Sequence, residues 1–181
     1  MAGIEELDHA LLIWLSDWRH PALVASMSAV TWLGSLAVLL PVSIILGWCW
    51  GRGGNWLQRA DLPVAVLGAA AMAYLLKWAF DRERPDLVPS LIALPADSSF
   101  PSAHSFQVTA FVAAWLLWRG GWRKPVHLGA GLLLVSLVGL SRMYLQVHFP
   151  SDVFFGILGG LLWVWLLQSL PVWKRRGINA S

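Results

Sequence analysis

Residues 21–50 form a stretch of thirty without one charged side chain, and four further long apolar runs follow it, in which Lys77 is the only charge. Runs of this length are avoided in water, and a bilayer core accepts them as helices, which satisfy their own backbone. As a single helix, residues 21–50 would extend about 45 Å, too long for a hydrocarbon core of about 30 Å and too short for two full crossings. Gly34 and Pro41 are the places where it can break or kink. A short helix is therefore expected to residue 33 and a span at 35–50, followed by spans at 62–80, 101–118, 125–141 and 153–173. Composition agrees, at 57% hydrophobic and 13% charged, with a mean hydropathy of +0.62. The expected fold is one all-α integral membrane domain over 1–181, a bundle of five to six transmembrane helices, with the sixth candidate in residues 21–33.

Residues 4–18 place Leu7, Leu11, Ile13, Trp14 and Trp18 at roughly helical spacing, flanked by acids. They read as an amphipathic helix lying in the membrane interface, with a soluble helix packed on the bundle as the alternative. The chain opens on Glu5, Glu6 and Asp8, so no cleavable signal peptide is expected. Cys49 is the one cysteine and lies in an apolar run, which excludes an intrachain disulfide. The isoelectric point near 9.5 does not indicate nucleic acid, because the basic residues are scattered between the apolar runs.

Those basic residues report topology. If the spans alternate, Arg52, Arg59, Arg119, Arg123, Lys124, Lys174, Arg175 and Arg176 share one face with a single acid, Asp61. Arg19, Lys77, Arg82, Arg84 and Arg142 share the other with the remaining nine acids. The Lys/Arg excess assigns the first face to the cytoplasm. Trp48, Trp50, Trp56, Trp115, Trp118, Trp122 and Trp173 would form an aromatic belt on the same side.

Three segments fall on the other, outer face. Residues 141–152 read SRMYLQVHFPSD and put Arg142, His148 and Asp152 between two apolar runs, where charge is costly and usually marks a site. Pro150 suits a first helical position. A carboxylate beside one imidazole nitrogen would leave the other free to attack. Lys77 and Arg84 lie seven residues apart, about two helical turns, and Pro85 biases Arg84 out of the helix. Pro101, Ser102, Ala103 and His104 open the next span, and free backbone N–H groups at a helix start form an anion site. Taken singly, each segment also suits a snorkelling lysine, a capped helix or an incidental turn. Together they bring three cations, a helix N-terminus, two histidines and an aspartate to one rim, which matches the oxygens and the chemistry of a phosphate. Three carboxylates arranged to hold a metal are not evident, so chemistry without metal or other cofactor is expected.

In order and internal spacing, Lys77, Arg84 and Pro85, then Pro101, Ser102 and His104, then Ser141, Arg142, His148 and Asp152 resemble the three-part signature of the type 2 phosphatidic acid phosphatases, or lipid phosphate phosphatases. That signature runs K-x6-R-P, P-S-G-H and S-R-x5-H-x3-D. Ala103 departs from it, standing where the family usually has glycine; its amide survives, and its methyl is expected to face the site. The resemblance implies that His148 forms a phosphohistidine, Asp152 orients it and His104 protonates the leaving oxygen. Lys77, Arg84, Ser102, Arg142 and the Ala103 amide would hold the phosphate. It further implies a lipid substrate in the bacterial plasma membrane, with the site outside the cytoplasm. Undecaprenyl pyrophosphate comes first, with phosphatidylglycerol phosphate and phosphatidic acid as close alternatives. A lipid phosphotransferase would use the same intermediate, a vanadium-dependent haloperoxidase shares the anion site but is soluble, and a transporter or scaffold would tolerate loss of His148. His9, His20 and His127 lie away from these segments and are left out.

Overall fold

A computed structural model describes residues 2–50, 56–118, 120 and 123–171. The described residues form seven helices, with a long loop at 81–102 between the fourth and fifth: α1 (Ala2–Ser16), α2 (Pro21–Trp32), α3 (Leu36–Trp50), α4 (Trp56–Phe80), α5 (Ala103–Trp118), α6 (Pro125–Tyr144) and α7 (Pro150–Ser169). Proline starts α2, α6 and α7, where its missing N–H costs nothing.

The uncharged stretch at 21–50 breaks near Gly34. Helices α2 and α3 meet there at a bend of 48°, and α3 runs on through Pro41. A Cβ on Gly34 would lie 2.5 Å from Val138 Cγ1 and 3.2 Å from the His104 Cβ, so the bend packs directly against α5 and α6. Helix α4 begins six residues before the expected span and passes through Pro63. Helix α7 ends earlier than expected, at Ser169: Leu170 is extended, with ψ 140°, because it precedes Pro171. Residues 172 and 173 lie outside the described part. So do Arg52, Arg119, Trp122, Lys174, Arg175 and Arg176, on which much of the charge and tryptophan asymmetry rests.

By length and composition three helical stretches can cross a membrane, Arg59–Phe80, Pro125–Tyr144 and Pro150–Ser169, with the bent α2–α3 pair as a fourth. Helix α5 has 16 residues, about 24 Å at 1.5 Å per residue. It is the centre of the bundle, packed against α3, α4, α6 and α7. Ten of its side chains are buried, on every face, as befits a helix enclosed on all sides. The outside of the bundle is apolar: Trp78, Leu132, Leu133, Phe154, Trp165 and Leu166 are all exposed, a surface suited to lipid.

Helix α1 packs on α6 and α7. The residues expected to make its apolar face, Leu7, Leu11, Ile13, Trp14 and Trp18, point outward, while Asp8, Leu12 and Leu15 are buried. The spacing of these three (i, i+4, i+7) is equally helical. The helix is therefore apolar toward its surroundings and carries a carboxylate toward the protein.

Candidate active site

Two seams bring the three segments together. Along α5 and α7, Gly156 and Gly160 let the backbones touch: a Cβ on Gly156 would lie 2.7 Å from the Ser102 carbonyl oxygen, and one on Gly160 would lie 2.6 Å from that of Phe106. The Ser102 amide donates to the Asp152 carbonyl at 3.0 Å, stitching the start of α5 to the start of α7. Between α6 and α7, Gln146 adopts φ 59°. Its side-chain Nε2 donates to the Leu12 carbonyl at 2.9 Å, and the Val147 amide returns to the Arg142 carbonyl. This left-handed turn is what folds His148 back beside Arg142.

His148 and Asp152 are both buried. The imidazole Nδ1 faces Asp152 Oδ2 at 3.5 Å, a long approach that can tighten once a reacting group is bound. Asp152 Oδ2 also accepts from the Phe149 amide at 2.9 Å and from Ser99 Oγ at 2.5 Å. On the far side of the ring, Nε2 lies 3.4 Å from Arg84 Nη1. Burial pushes the His148 imidazole down to about 3; the Asp152 carboxylate opposes the shift, and the Arg142 and Arg84 charges add to it. Nδ1 faces the carboxylate and Nε2 faces the cations, an arrangement in which Asp152 favours the tautomer with its proton on Nδ1.

Those cations converge as their spacing suggested. Arg84 donates to the Val147 carbonyl at 2.7 Å and to the Asp97 carbonyl at 2.9 Å. Lys77 is buried and its Nζ donates to the Ser98 carbonyl. Arg142, buried in the last turn of α6, donates from Nη1 to Thr31 Oγ1 of α2 at 2.7 Å, while its Nε finds no partner among the described residues. His104, in the first turn of α5, lies within electrostatic reach of Arg142, His148, Lys77 and Arg84. Ser102 caps α5, its Oγ 3.4 Å from the Ser105 amide. Ala103 belongs to the main apolar cluster with Ala69, Ala73, Phe106 and Ala110. The methyl is thus buried against apolar neighbours, and the amide at the helix start is the group that can serve an anion.

Four participants were missed in reading the sequence. Asp97 binds both Lys77 and Arg84, with Oδ2 at 3.4 Å from Lys77 Nζ and Oδ1 at 2.6 Å from Arg84 Nη2. Burial alone would raise its carboxyl, but Lys77 and Arg84 outweigh burial and hold it below the usual range. Ser99 and Arg82 bond Asp152, and Asp8 bonds Arg82 from behind. Arg82 was legible as an outer-face cation two residues before Arg84; Asp8 was legible as the acid in the 8, 12, 15 stripe.

The His148 shift has a consequence for stability. The unfolded imidazole takes up a proton near its usual 6.5 while the folded one resists until about 3, so the folded state is progressively disfavoured as pH falls from 6.5 toward 3. Asp97 contributes loss of the same sign, but only below its usual 3.8. The melting temperature of the detergent-solubilised protein should therefore decline between pH 6.5 and 4.5, and the decline should flatten in His148→Gln. An equal decline in both proteins would show that His148 is not the group responsible.

Comparison with known proteins adds family information. Residues 59–176 match the family model described as PAP2 superfamily. Phosphatidylglycerophosphatase B of Bacillus subtilis (strain 168) is 33% identical over 163 residues, covering 83% of this chain and 76% of the relative. A protein of Escherichia coli (strain K12), provisionally assigned as undecaprenyl-diphosphatase YbjG, is 27% identical, with 84% of this chain and 80% of the relative covered. The crystal structure of a transmembrane PAP2-type phosphatidylglycerolphosphate phosphatase from Bacillus subtilis superposes with a TM-score of 0.81 at 28% identity, over 93% of this chain and 86% of that one.

Proposed function

This chain belongs to the PAP2 superfamily of membrane phosphatases that hydrolyse lipid phosphates, and we propose that it cleaves a lipid phosphate or pyrophosphate through a phosphohistidine on His148, without a metal. One observation carries this reading: a buried imidazole with Asp152 facing Nδ1 and Nε2 turned toward Arg84.

In the proposed reaction, Nε2 of His148 attacks phosphorus in line and the bond to the leaving oxygen breaks. His104 gives a ring N–H proton to that oxygen. Asp152 steadies the Nδ1–H as positive charge develops on the ring. Lys77, Arg84, Arg142, Ser102 and the Ala103 amide hold the phosphoryl oxygens and supply the charge stabilisation. Water, deprotonated by His104, then attacks phosphorus; the N–P bond breaks and inorganic phosphate leaves.

The site lies at the ends of α4, α5, α6 and α7, so the lipid tail would stay in the bilayer and lift its phosphate to the rim. The excess of Lys/Arg on the opposite face supports an orientation outside the cytoplasm, with α5 and the α2–α3 pair joining the three long helices in five or six crossings. Undecaprenyl pyrophosphate is the first substrate we propose, supported by the Escherichia coli relative. The second is phosphatidylglycerol phosphate, supported by the two Bacillus subtilis comparisons. Phosphate release in EDTA from these two lipids and phosphatidic acid, side by side and with product analysis in the presence of a second lipid, tests the reading. Phosphate appearing in water supports hydrolysis, and phosphate appearing on the second lipid makes the protein a phosphotransferase.

Asp97 sets an expectation on affinity. Its carboxylate takes donors from Lys77 and Arg84, the two cations assigned to phosphate, so an incoming phosphate competes with it. Asp97→Asn should lower KM about tenfold, roughly 1.4 kcal/mol, and sharpen inhibition by inorganic phosphate. A KM that rises would instead make Asp97 the group that orients the two cations.

A further inference from the structure

Asp8 is 2% exposed and sits on α1, outside the residues that match the family. A buried carboxylate is costly unless fully bonded, and this one is. It accepts from the Ser151 amide at 2.8 Å and the Ser151 hydroxyl at 2.5 Å, and from Arg82 Nη2 at 2.9 Å. The other arm of the guanidinium, Nη1, donates to Asp152 Oδ1 at 2.6 Å, and its plane lies over the Phe149 ring, 4.2 Å from the centroid. One cation is thus shared by two buried carboxylates.

The sharing matters for the nucleophile. With Oδ1 of Asp152 held by Arg82, and Oδ2 held by the Phe149 amide and Ser99, the carboxylate cannot rotate, and Oδ2 stays turned to His148 Nδ1. Arg82 is held at both arms: Nη1 also donates to Ser151 Oγ at 2.8 Å, and Asp8 anchors Nη2 and so fixes the tilt of the fork. Asp8 is not needed merely to dock α1: Leu12 and Leu15 are buried there, Gln146 bonds the Leu12 carbonyl, and Tyr144 bonds the Trp18 carbonyl.

We propose that Asp8 and Arg82 are positioning residues for the reaction, extending the His148–Asp152 pair into a chain Asp8–Arg82–Asp152–His148 that starts on the outward-apolar helix α1. The assignment rests on the hydrolase reading for its kinetic consequence and on geometry alone for its effect on the imidazole. Seating α1 then helps to set the tautomer and direction of the nucleophile.

The test uses the full-length protein in detergent, with Asp8→Asn, Arg82→Gln, Arg82→Lys, the Asp8→Asn/Arg82→Gln double variant, and Glu5→Gln on the exposed side of α1 as control. Each single loss should lower kcat about 10- to 100-fold, the range for partners that orient a reacting group from behind, with KM changed less than about threefold. The double variant should be no worse than Arg82→Gln alone, and Arg82→Lys should recover part of the loss. In an Asp152→Asn background, Asp8→Asn should cost less than about twofold, because the chain is already cut. Nitrogen-15 spectra of His148 supply a readout that needs no turnover: the Nδ1–H tautomer of the wild type should become mixed in Asp8→Asn and Arg82→Gln but not in Glu5→Gln. A tautomer that ignores Asp8 and Arg82 would overturn the proposal, as would a kcat loss undiminished by Asp152→Asn. Wild-type protein that releases no phosphate while its His148 tautomer follows Asp8 would overturn the hydrolase reading and leave the positioning chain standing.

Discussion

His148→Ala should reduce phosphate release from every lipid phosphate to background, a loss on the order of 10^6-fold, as removal of a covalent nucleophile does. The side chain is 2% exposed, and Ser99 and Arg84 lie 3.5 Å and 3.4 Å from its two nitrogens. Neither substitutes for it: a serine hydroxyl already donating to Asp152 has no base left to activate it, and a guanidinium is no nucleophile. Acid quenching of the wild type with radiolabelled substrate should trap an acid-labile phosphoprotein that the variant lacks. Asp152→Asn should behave differently. It keeps the imidazole but removes the charge that favours Nδ1–H, so activity should fall about 10^2- to 10^4-fold and remain measurable. Full activity in His148→Ala would overturn the phosphohistidine mechanism, and equal losses in the two variants would argue against distinct roles for them.

Gly156→Ala carries the second large effect, although it touches no charged group. The added Cβ would meet the Ser102 carbonyl oxygen at 2.7 Å, Ser105 Cβ at 3.0 Å and the Phe106 amide nitrogen at 3.3 Å. Two of these three contacts are backbone, which cannot swing aside, so α5 must move away from α7. That movement separates Ser102, Ala103 and His104 from His148 and Asp152 and strains the Ser102–Asp152 backbone bond. A displacement of about 1 Å between reacting groups costs about 10^2-fold in rate, and overpacking a tight seam costs about 1–3 kcal/mol. The kcat of the variant and its denaturation midpoint should both fall. Gly129→Ala on α6, where nothing lies within 4 Å of the added carbon, should leave both essentially unchanged. If Gly156→Ala kept wild-type kcat, the seam would not be what holds the two halves of the site in register.

Much of this molecule was legible before any coordinates, because its information is local. Runs without charge name the bilayer helices, since hydrocarbon rejects charge wherever the fold goes. Pro21, Pro125 and Pro150 mark helix starts through their own ring geometry. Lys77, Arg84, Ser102, His104, Arg142, His148 and Asp152 could be proposed together from spacing alone: motif residues placed at helix ends share a rim once the helices stand side by side. The PAP2 membership followed from the same motifs.

What the tertiary structure decided is long-range. Helix α5, shorter than α4, α6 and α7, became the centre because small residues on α7 admit its backbone, a fact about two helices at once. Helix α1 turned its apolar side outward, since amphipathic periodicity shows that a face exists but not which way it points. Asp97, Ser99, Arg82 and Asp8 carry no motif spacing of their own. They enter because a buried Lys77, Arg84 and Asp152 require partners, and only the folded chain determines which acid, hydroxyl or arginine is near enough to serve.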